Sequence, residues 1–266
     1  MKEEELQRLC REIRADIVRM IGGVKSGHPG GSLSCVEILT SLYFKEMHAA
    51  PSLPAGKRDK CVLCKGHAAP ALYAVLALRG YFPHEELLTL RQLGSRLQGH
   101  PDMKKTPGVD ASTGSLGQGC SIAVGLALGA RLKGSPQRVF AVVGDGEMQE
   151  GQFWEAMMSA AHFNLSNLTV ILDHNGLQID GANNAVMGLG DIKAKLCAFG
   201  FDVAEVDGHD IGQLLAAYRK KTAQPKFIIA ETVKGKGVSF MENQAGWHGK
   251  APNAEETQQA LAELEA

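Results

Sequence analysis

A carboxylate set between glycines, Gly144-Asp145-Gly146-Glu147, follows directly on the apolar run Val139–Val143, and a second polar cluster, Asp173-His174-Asn175-Gly176-Leu177, follows the apolar run Leu168–Leu172. Asn175 lies 30 residues after Asp145. A hard cation takes oxygen ligands in near-octahedral order. The Asp145 carboxylate, the Asn175 amide oxygen and a loop carbonyl such as that of Leu177 can supply three of them, while a diphosphate fills other positions. The glycines let a ligand approach the backbone, and free N–H groups where the next helix begins favour an anion. Taken alone, the Gly-Asp-Gly turn is equally the mark of a tight turn closed by an Asx hydrogen bond. The pairing with Asn175 at the end of the following strand is what argues for a metal-bound diphosphate. The metal is expected to be Mg²⁺, with Mn²⁺ or Ca²⁺ acceptable to the same ligands.

These residues need a scaffold that brings successive strand ends together. Val139–Val143, Leu168–Leu172, Val203–Val206 and Phe227–Ala230 read as buried strands, each separated from the next by a helical pattern, and Cys61–Leu63 reads as a further short strand. Alternating strands and helices predict an α/β fold, a mostly parallel sheet in a three-layer α/β/α arrangement, with ligands outside the carboxyl ends of the strands. Leu6, Leu9, Ile13, Ile17, Met20 and Ile21 mark a first helix that Gly22-Gly23 should end, and Val36–Met47 a second. Leu116–Leu132 predicts a helix buried against the sheet, and the tail from Asn253 a terminal helix capped by that residue. The stretches 25–32, 106–119 and 234–252 lack periodicity and are candidate site loops. With no repeat or linker, 1–266 is expected to form a single domain.

Composition excludes other classes. With 28 Lys+Arg against 29 Asp+Glu the chain has no basic footprint for nucleic acid. Its charged N-terminus lacks an apolar leader, and no run of about 18 apolar residues occurs, so a soluble, cytoplasmic protein without a membrane partner is expected. Six cysteines are spread along 266 residues, which predicts free thiols rather than a disulfide framework. Cys61 and Cys64 form a lone CxxC whose thiols a strand would point to opposite faces, which disfavours a redox pair or zinc site.

The Gly-Asp-Gly…Asn spacing resembles the signature of thiamine diphosphate enzymes. Ser26-Gly27-His28-Pro29-Gly30, Lys65-Gly66-His67, Gly99-His100-Pro101 and Gly114-Ser115-Leu116-Gly117-Gln118-Gly119 stand in the order seen in transketolases. From about residue 10 to 252 the chain is similar to the N-terminal half of that family. The resemblance implies the Rossmann-like diphosphate-binding (PP-type) domain, with Asp145, Asn175 and the Leu177 carbonyl on the metal. It places His67, Gly146, Glu147 and His248 with Gly114, Ser115 and Leu116 on the cofactor, the Gly114 and Leu116 backbones along its aminopyrimidine edge. It makes His28, His67, His100 and His248 catalytic, polarising ketose oxygens and shuttling protons, a task for imidazoles near pKa 6.5. Glu150 and Glu155 match acidic residues at the family's subunit interface. Lys65 either reaches a phosphate or is solvated, and His48, His84, His162, His174 and His209 match no catalytic motif and are read as surface or structural. Ser115 departs from the family, where proline is frequent.

In the family the glutamate that activates the aminopyrimidine belongs to another domain, absent from these 266 residues. The expectation is the N-terminal subunit of a split transketolase, inactive alone, transferring a two-carbon ketol unit from a ketose phosphate to an aldose. A C-terminal subunit would bring the pyrimidine-binding domain, giving an α2β2 heterotetramer, and a pentose phosphate role is the default. The alternatives are an α-subunit of a 2-oxo acid dehydrogenase, a deoxyxylulose-phosphate synthase type, and a non-catalytic interaction remnant.

Overall fold

The short runs of Val, Ile, Leu and Phe bounded by glycine or polar residues form five parallel strands: β1 (Lys60–Leu63), β2 (Val139–Gly144), β3 (Leu168–His174), β6 (Asp202–Asp207) and β7 (Lys226–Glu231), in the order β1-β2-β3-β7-β6. The computed structural model describes residues 1–265. Two two-residue strands, β4 (Leu177–Gln178) and β5 (Gly181–Ala182), pair antiparallel just beyond β3. β2 and β3 are direct neighbours, with Gly144 opposite Asp173. The Asp145 and Asn175 loops therefore leave the same sheet end side by side.

Side chains alternate across the sheet. Cys61, Leu63, Phe140, Val142, Ile171 and Ile228 join one core cluster, while Val62, Cys64, Val139, Ala141, Val170 and Ile229 join the other. The first face is covered by α1 (Glu3–Val24), α3 (Val36–Ser41), α4 (Ala69–Leu78), α9 (Ile211–Arg219) and α10 (Ala254–Glu265); the second by α5 (Gln118–Leu132), α6 (Gly151–His162) and α8 (Ile192–Phe199). The two short helices α2 (Pro29–Ser34) and α7 (Asn183–Val186) lie in site loops. Cys61 and Cys64 fall on opposite faces, as the strand reading requires, and all six cysteines are free. Among the described residues no helix is long and apolar enough to cross a membrane.

Four boundaries differ from expectation. α1 does not stop at Gly22-Gly23 but runs to Val24 and ends at Lys25 in the left-handed conformation. Gly22 is there for packing: a Cβ on it would lie 2.4 Å from the hydroxyl of Thr257 on α10. The helix Val36–Met47 breaks into α3 and a widened π turn at Leu42–Glu46, closed by the Met47 N–H on the Leu42 carbonyl. Glu46 leaves that turn to meet Arg138 and Arg219. α5 starts at Gln118, two residues later than expected, because Gly117 sits at φ +83° and cannot continue a right-handed helix. Half of the aperiodic stretch 25–32 is helical, since Pro29 opens α2 at its first position.

Candidate functional site

The carboxyl ends of β1, β2 and β3 and the loop after β7 enclose a cavity of about 360 Å³. His28, His67, Gly114, Leu116, Asp145, Gly146, Glu147, Asn175, Leu177 and His248 all line it, and Glu150 stands at its edge. Ser115 is exposed and does not line it, nor does His100, which is exposed and lies against Gly114 at the rim. Glu155 is exposed one turn further along α6 than Glu150.

The half of the cavity expected to take a metal is built on Asp145. Its Oδ2 accepts the Gly176 N–H at 2.6 Å and the Asn183 amide at 2.7 Å, which fixes the carboxylate, while Oδ1 is buried without a partner among the described residues. Burial pushes this carboxyl up to about 6, outweighing the two hydrogen bonds that favour its charge. Asn175 offers its Oδ1, otherwise engaged only by the Leu177 N–H at 3.3 Å, and the Leu177 carbonyl completes an all-oxygen donor set. A partnerless carboxylate oxygen beside an amide and a carbonyl oxygen fits a hard divalent cation.

Two lysines approach the cavity floor, and neither is solvated. Lys65 is 1% exposed, donates to the Gly31 carbonyl at 2.8 Å and pairs with Asp173. Asp173 also accepts from the Ser34 hydroxyl at 2.6 Å and the Thr232 hydroxyl at 2.5 Å. Burial opposes both charges, but each holds the other's: the lysine's pKa stays above its ordinary value and the aspartate's below. Lys234, 2% exposed, reaches the Leu177 carbonyl at 3.3 Å and Nδ1 of His248 at 3.2 Å. Burial and the charge of Lys65 bring its ammonium down to about 8. Sequence reasoning misses Asp173 and Lys234. The signals in the chain are the acidic residue two before Asn175 and a lysine three residues past a strand end, neither distinctive without the fold.

Three of the four expected histidines come together. Ring centroids are 5.3 Å apart for His28 and His67, 5.5 Å for His28 and His248, and 5.1 Å for His67 and His248. Burial, followed by nearby positive charge, lowers all three: His28 and His248 to about 4, and His67 well below its ordinary range. They are neutral at physiological pH, each able to donate at one nitrogen and accept at the other. Because the Lys234 ammonium can only donate, Nδ1 of His248 is an acceptor and its proton sits on Nε2.

Glu147 turns its carboxylate to the backbone: one oxygen accepts the Gly117 N–H at 3.0 Å, the other the Gly144 N–H at 3.3 Å. It thereby ties the glycine loop 114–117 to the turn that carries Asp145. Among the described residues, the cluster of three His, Cys, Asp or Glu ligand atoms is Cys64, Cys120 and Glu147, buried behind this brace and outside the cavity lining except for Glu147. The oxygen donors expected for a metal, Asp145, Asn175 and the Leu177 carbonyl, come instead from two loops that line the cavity.

Residues 5–265 match the family model described as transketolase, thiamine diphosphate binding domain. The 6-deoxy-6-sulfo-D-fructose transketolase subunit SqwG of Clostridium sp. (strain MSTE9) is 44% identical over 98% of this chain and 96% of its own length. An apulose-4-phosphate transketolase subunit of Phocaeicola vulgatus is 38% identical over 99% and 95%. Human transketolase is 39% identical over 99% of this chain but only 42% of its own length. The crystal structure of Campylobacter jejuni transketolase superposes with a TM-score of 0.94 at 32% identity, covering 100% of this chain and 43% of that one. The chain thus spans less than half of the full-length transketolases and nearly all of the two subunits. On the match of sequence and fold across its whole described length, the chain belongs to the transketolase thiamine diphosphate-binding domain family.

Proposed function

We propose that this chain is the N-terminal subunit of a split transketolase, transferring a two-carbon ketol unit from a ketose phosphate to an aldose acceptor. The observation that carries the reading is the partnerless, buried Oδ1 of Asp145, set among oxygen donors and opposite three neutral histidines. Asp145, Asn175 and the Leu177 carbonyl would hold Mg²⁺, and Lys234 with the Gly146 backbone would receive the diphosphate. Thiamine diphosphate supplies the thiazolium carbon through which the ketol unit is carried. Gly114 and Leu116 offer backbone along the aminopyrimidine, braced from behind by Glu147. His28, His67 and His248 orient the ketose oxygens and exchange protons with them, His248 donating from Nε2. His100 acts from the rim.

Two relatives of this length are named as transketolase subunits, which supports a separate partner chain carrying the pyrimidine-binding domain and the activating glutamate. We place Glu150 and Glu155, both exposed at the start of α6, at the subunit interface of an α2β2 heterotetramer in the cytoplasm. The named substrates of those relatives, a sulfonated and a phosphorylated ketose, agree with a donor that has an anionic terminus. A pentose phosphate is the first to test.

The test is a ketol-transfer assay with xylulose 5-phosphate, ribose 5-phosphate, thiamine diphosphate and Mg²⁺, on the chain alone and then with its C-terminal partner. Activity only with the partner is the expected result. Turnover by the chain alone would overturn the split-enzyme reading, and pyruvate decarboxylation in place of ketol transfer would favour the 2-oxo acid dehydrogenase type.

A further inference from the structure

The loop that leaves β7 carries Lys234 into the cavity, and its outer side is gripped by a polar relay that no catalytic motif predicts. The Val233 N–H donates to Nε2 of His209 at 2.9 Å, and Nδ1 of His209 lies 2.9 Å from Oε2 of Glu37. A backbone N–H can only donate, so Nε2 is the acceptor, and the ring proton sits on Nδ1, where it is given to Glu37. The same Glu37 oxygen receives Nη2 of Arg14 at 2.7 Å, and Nε of Arg14 donates to the Lys236 carbonyl at 3.0 Å. Residues 233 and 236, on either side of Lys234, are therefore bound to one network anchored on α1, α3 and the turn after β6. Arg14 and Glu37 are 6% and 7% exposed. Burial alone would raise the Glu37 carboxyl, but the His209 hydrogen bond and the Arg14 charge bring it below its ordinary range. On the inner side Thr232 bonds Asp173, and the Asn243 N–H holds the Lys234 carbonyl at 2.9 Å.

We propose that His209, acting through Val233 and backed by Glu37 and Arg14, is a positioning residue that sets where the Lys234 ammonium stands in the diphosphate cradle. The inference rests on the thiamine diphosphate reading above and adds to it a histidine more than 20 residues from the lysine it serves. A residue that merely stabilised the fold would weaken the protein without moving Lys234. A positioning residue acts on the cofactor only as long as Lys234 is present.

The experiment is a double-mutant cycle read by calorimetric titration of thiamine diphosphate, at saturating Mg²⁺, into the chain assembled with its partner. His209→Ala is expected to weaken binding about tenfold, roughly 1.4 kcal/mol. Lys234→Met should weaken it about ten- to a hundredfold, as loss of a charged hydrogen bond does. His209→Ala should add nothing in the Lys234→Met background. Multiplying losses would overturn the proposal. His209→Asn serves where alanine prevents folding, because its amide can still donate to Glu37 but does not reach Val233. A second readout needs no cofactor: NMR titration of His248, whose pKa is lowered by burial first and then by the Lys234 charge. His209→Asn should move it upward in the free chain as Lys234→Met does, and an unchanged His248 would also overturn the proposal. Failure of the wild-type assembly to bind thiamine diphosphate would instead overturn the cofactor reading, with the His248 titration still deciding whether His209 places Lys234.

Discussion

Replacing Asp145 by asparagine should make the metal-free chain more stable while removing its response to metal and cofactor. The carboxyl sits at about 6, against an ordinary 3.8, chiefly because burial penalises its charge. A shift of about two units is worth about 3 kcal/mol, at about 1.4 kcal/mol per unit. The folded-state pKa is raised, so the protonated group favours the fold below pH 3.8, and that contribution is lost as pH rises through about 6. At neutral pH the wild type bears the full cost. The introduced amide would still accept the Gly176 and Asn183 donors through its one carbonyl oxygen, with its NH₂ turned to the cavity. The variant should gain up to about 3 kcal/mol at pH 7, or several degrees in Tm for a domain of this size, with the difference vanishing near pH 4. Urea unfolding from pH 4 to 8 without divalent ions measures it. With partner, thiamine diphosphate and Mg²⁺ at a hundredfold excess over Kd, the wild type gains about 2.7 kcal/mol and the variant nothing. A variant no more stable than wild type at pH 7, or one still protected by metal and cofactor, would refute the reasoning.

Asp173→Ala leaves the Lys65 ammonium buried with only the Gly31 carbonyl for company and should cost about 3–5 kcal/mol in urea unfolding; adding Lys65→Met should restore most of it. In Lys234→Met, NMR titration should find His248 moved up from about 4 but still below 6.5, because burial, the larger cause, remains, with His28 shifting less because Lys234 is a smaller influence there. His28 and His248 also give the pH dependence a sign opposite to that of Asp145. Their folded-state pKa values lie below 6.5, so the unfolded chain takes up more protons between about 4 and 6.5, and the stability they permit above that window is lost as pH falls through it. Asp145→Asn should therefore lose stability more steeply on acidification than the wild type, and a shallower slope would contradict the assignment.

The pairing of Asp145 with Asn175 is readable in the sequence because two adjacent parallel strands translate a fixed spacing into neighbouring loops; the direct β2–β3 pairing puts Gly144 opposite Asp173. The three clustered histidines and the glycine loop are readable from motif order. What escapes depends on contacts the chain makes far from itself. Lys65 and Asp173 are 108 residues apart, and nothing in the run Cys61–Lys65 shows that its lysine ends in the protein interior. His209 passes for a structural residue because its partners come from α1, α3 and the loop after β7. Gly22-Gly23 looks like a helix end, yet intrinsic propensity, a matter of about 1 kcal/mol per glycine, gives way where a small residue is what allows α10 to dock. The π turn at Leu42–Glu46 leaves no mark in the apolar spacing, which continues through it.

The charges at the cavity floor have a thermodynamic corollary. Lys65 is neutralised by Asp173, while the Lys234 ammonium shares the cavity with the carboxyls of Asp145 and Glu147, both raised by burial, so the protein's own net charge there is small beside that of either ligand. A divalent ion entering alone would leave this enclosed space strongly positive, and a diphosphate entering alone would leave it strongly negative; either excess is costly away from water. Together they nearly cancel. Metal and cofactor should therefore bind as linked ligands, each tightening the other by the same factor. A protein in which each is measured singly will understate the affinity of both.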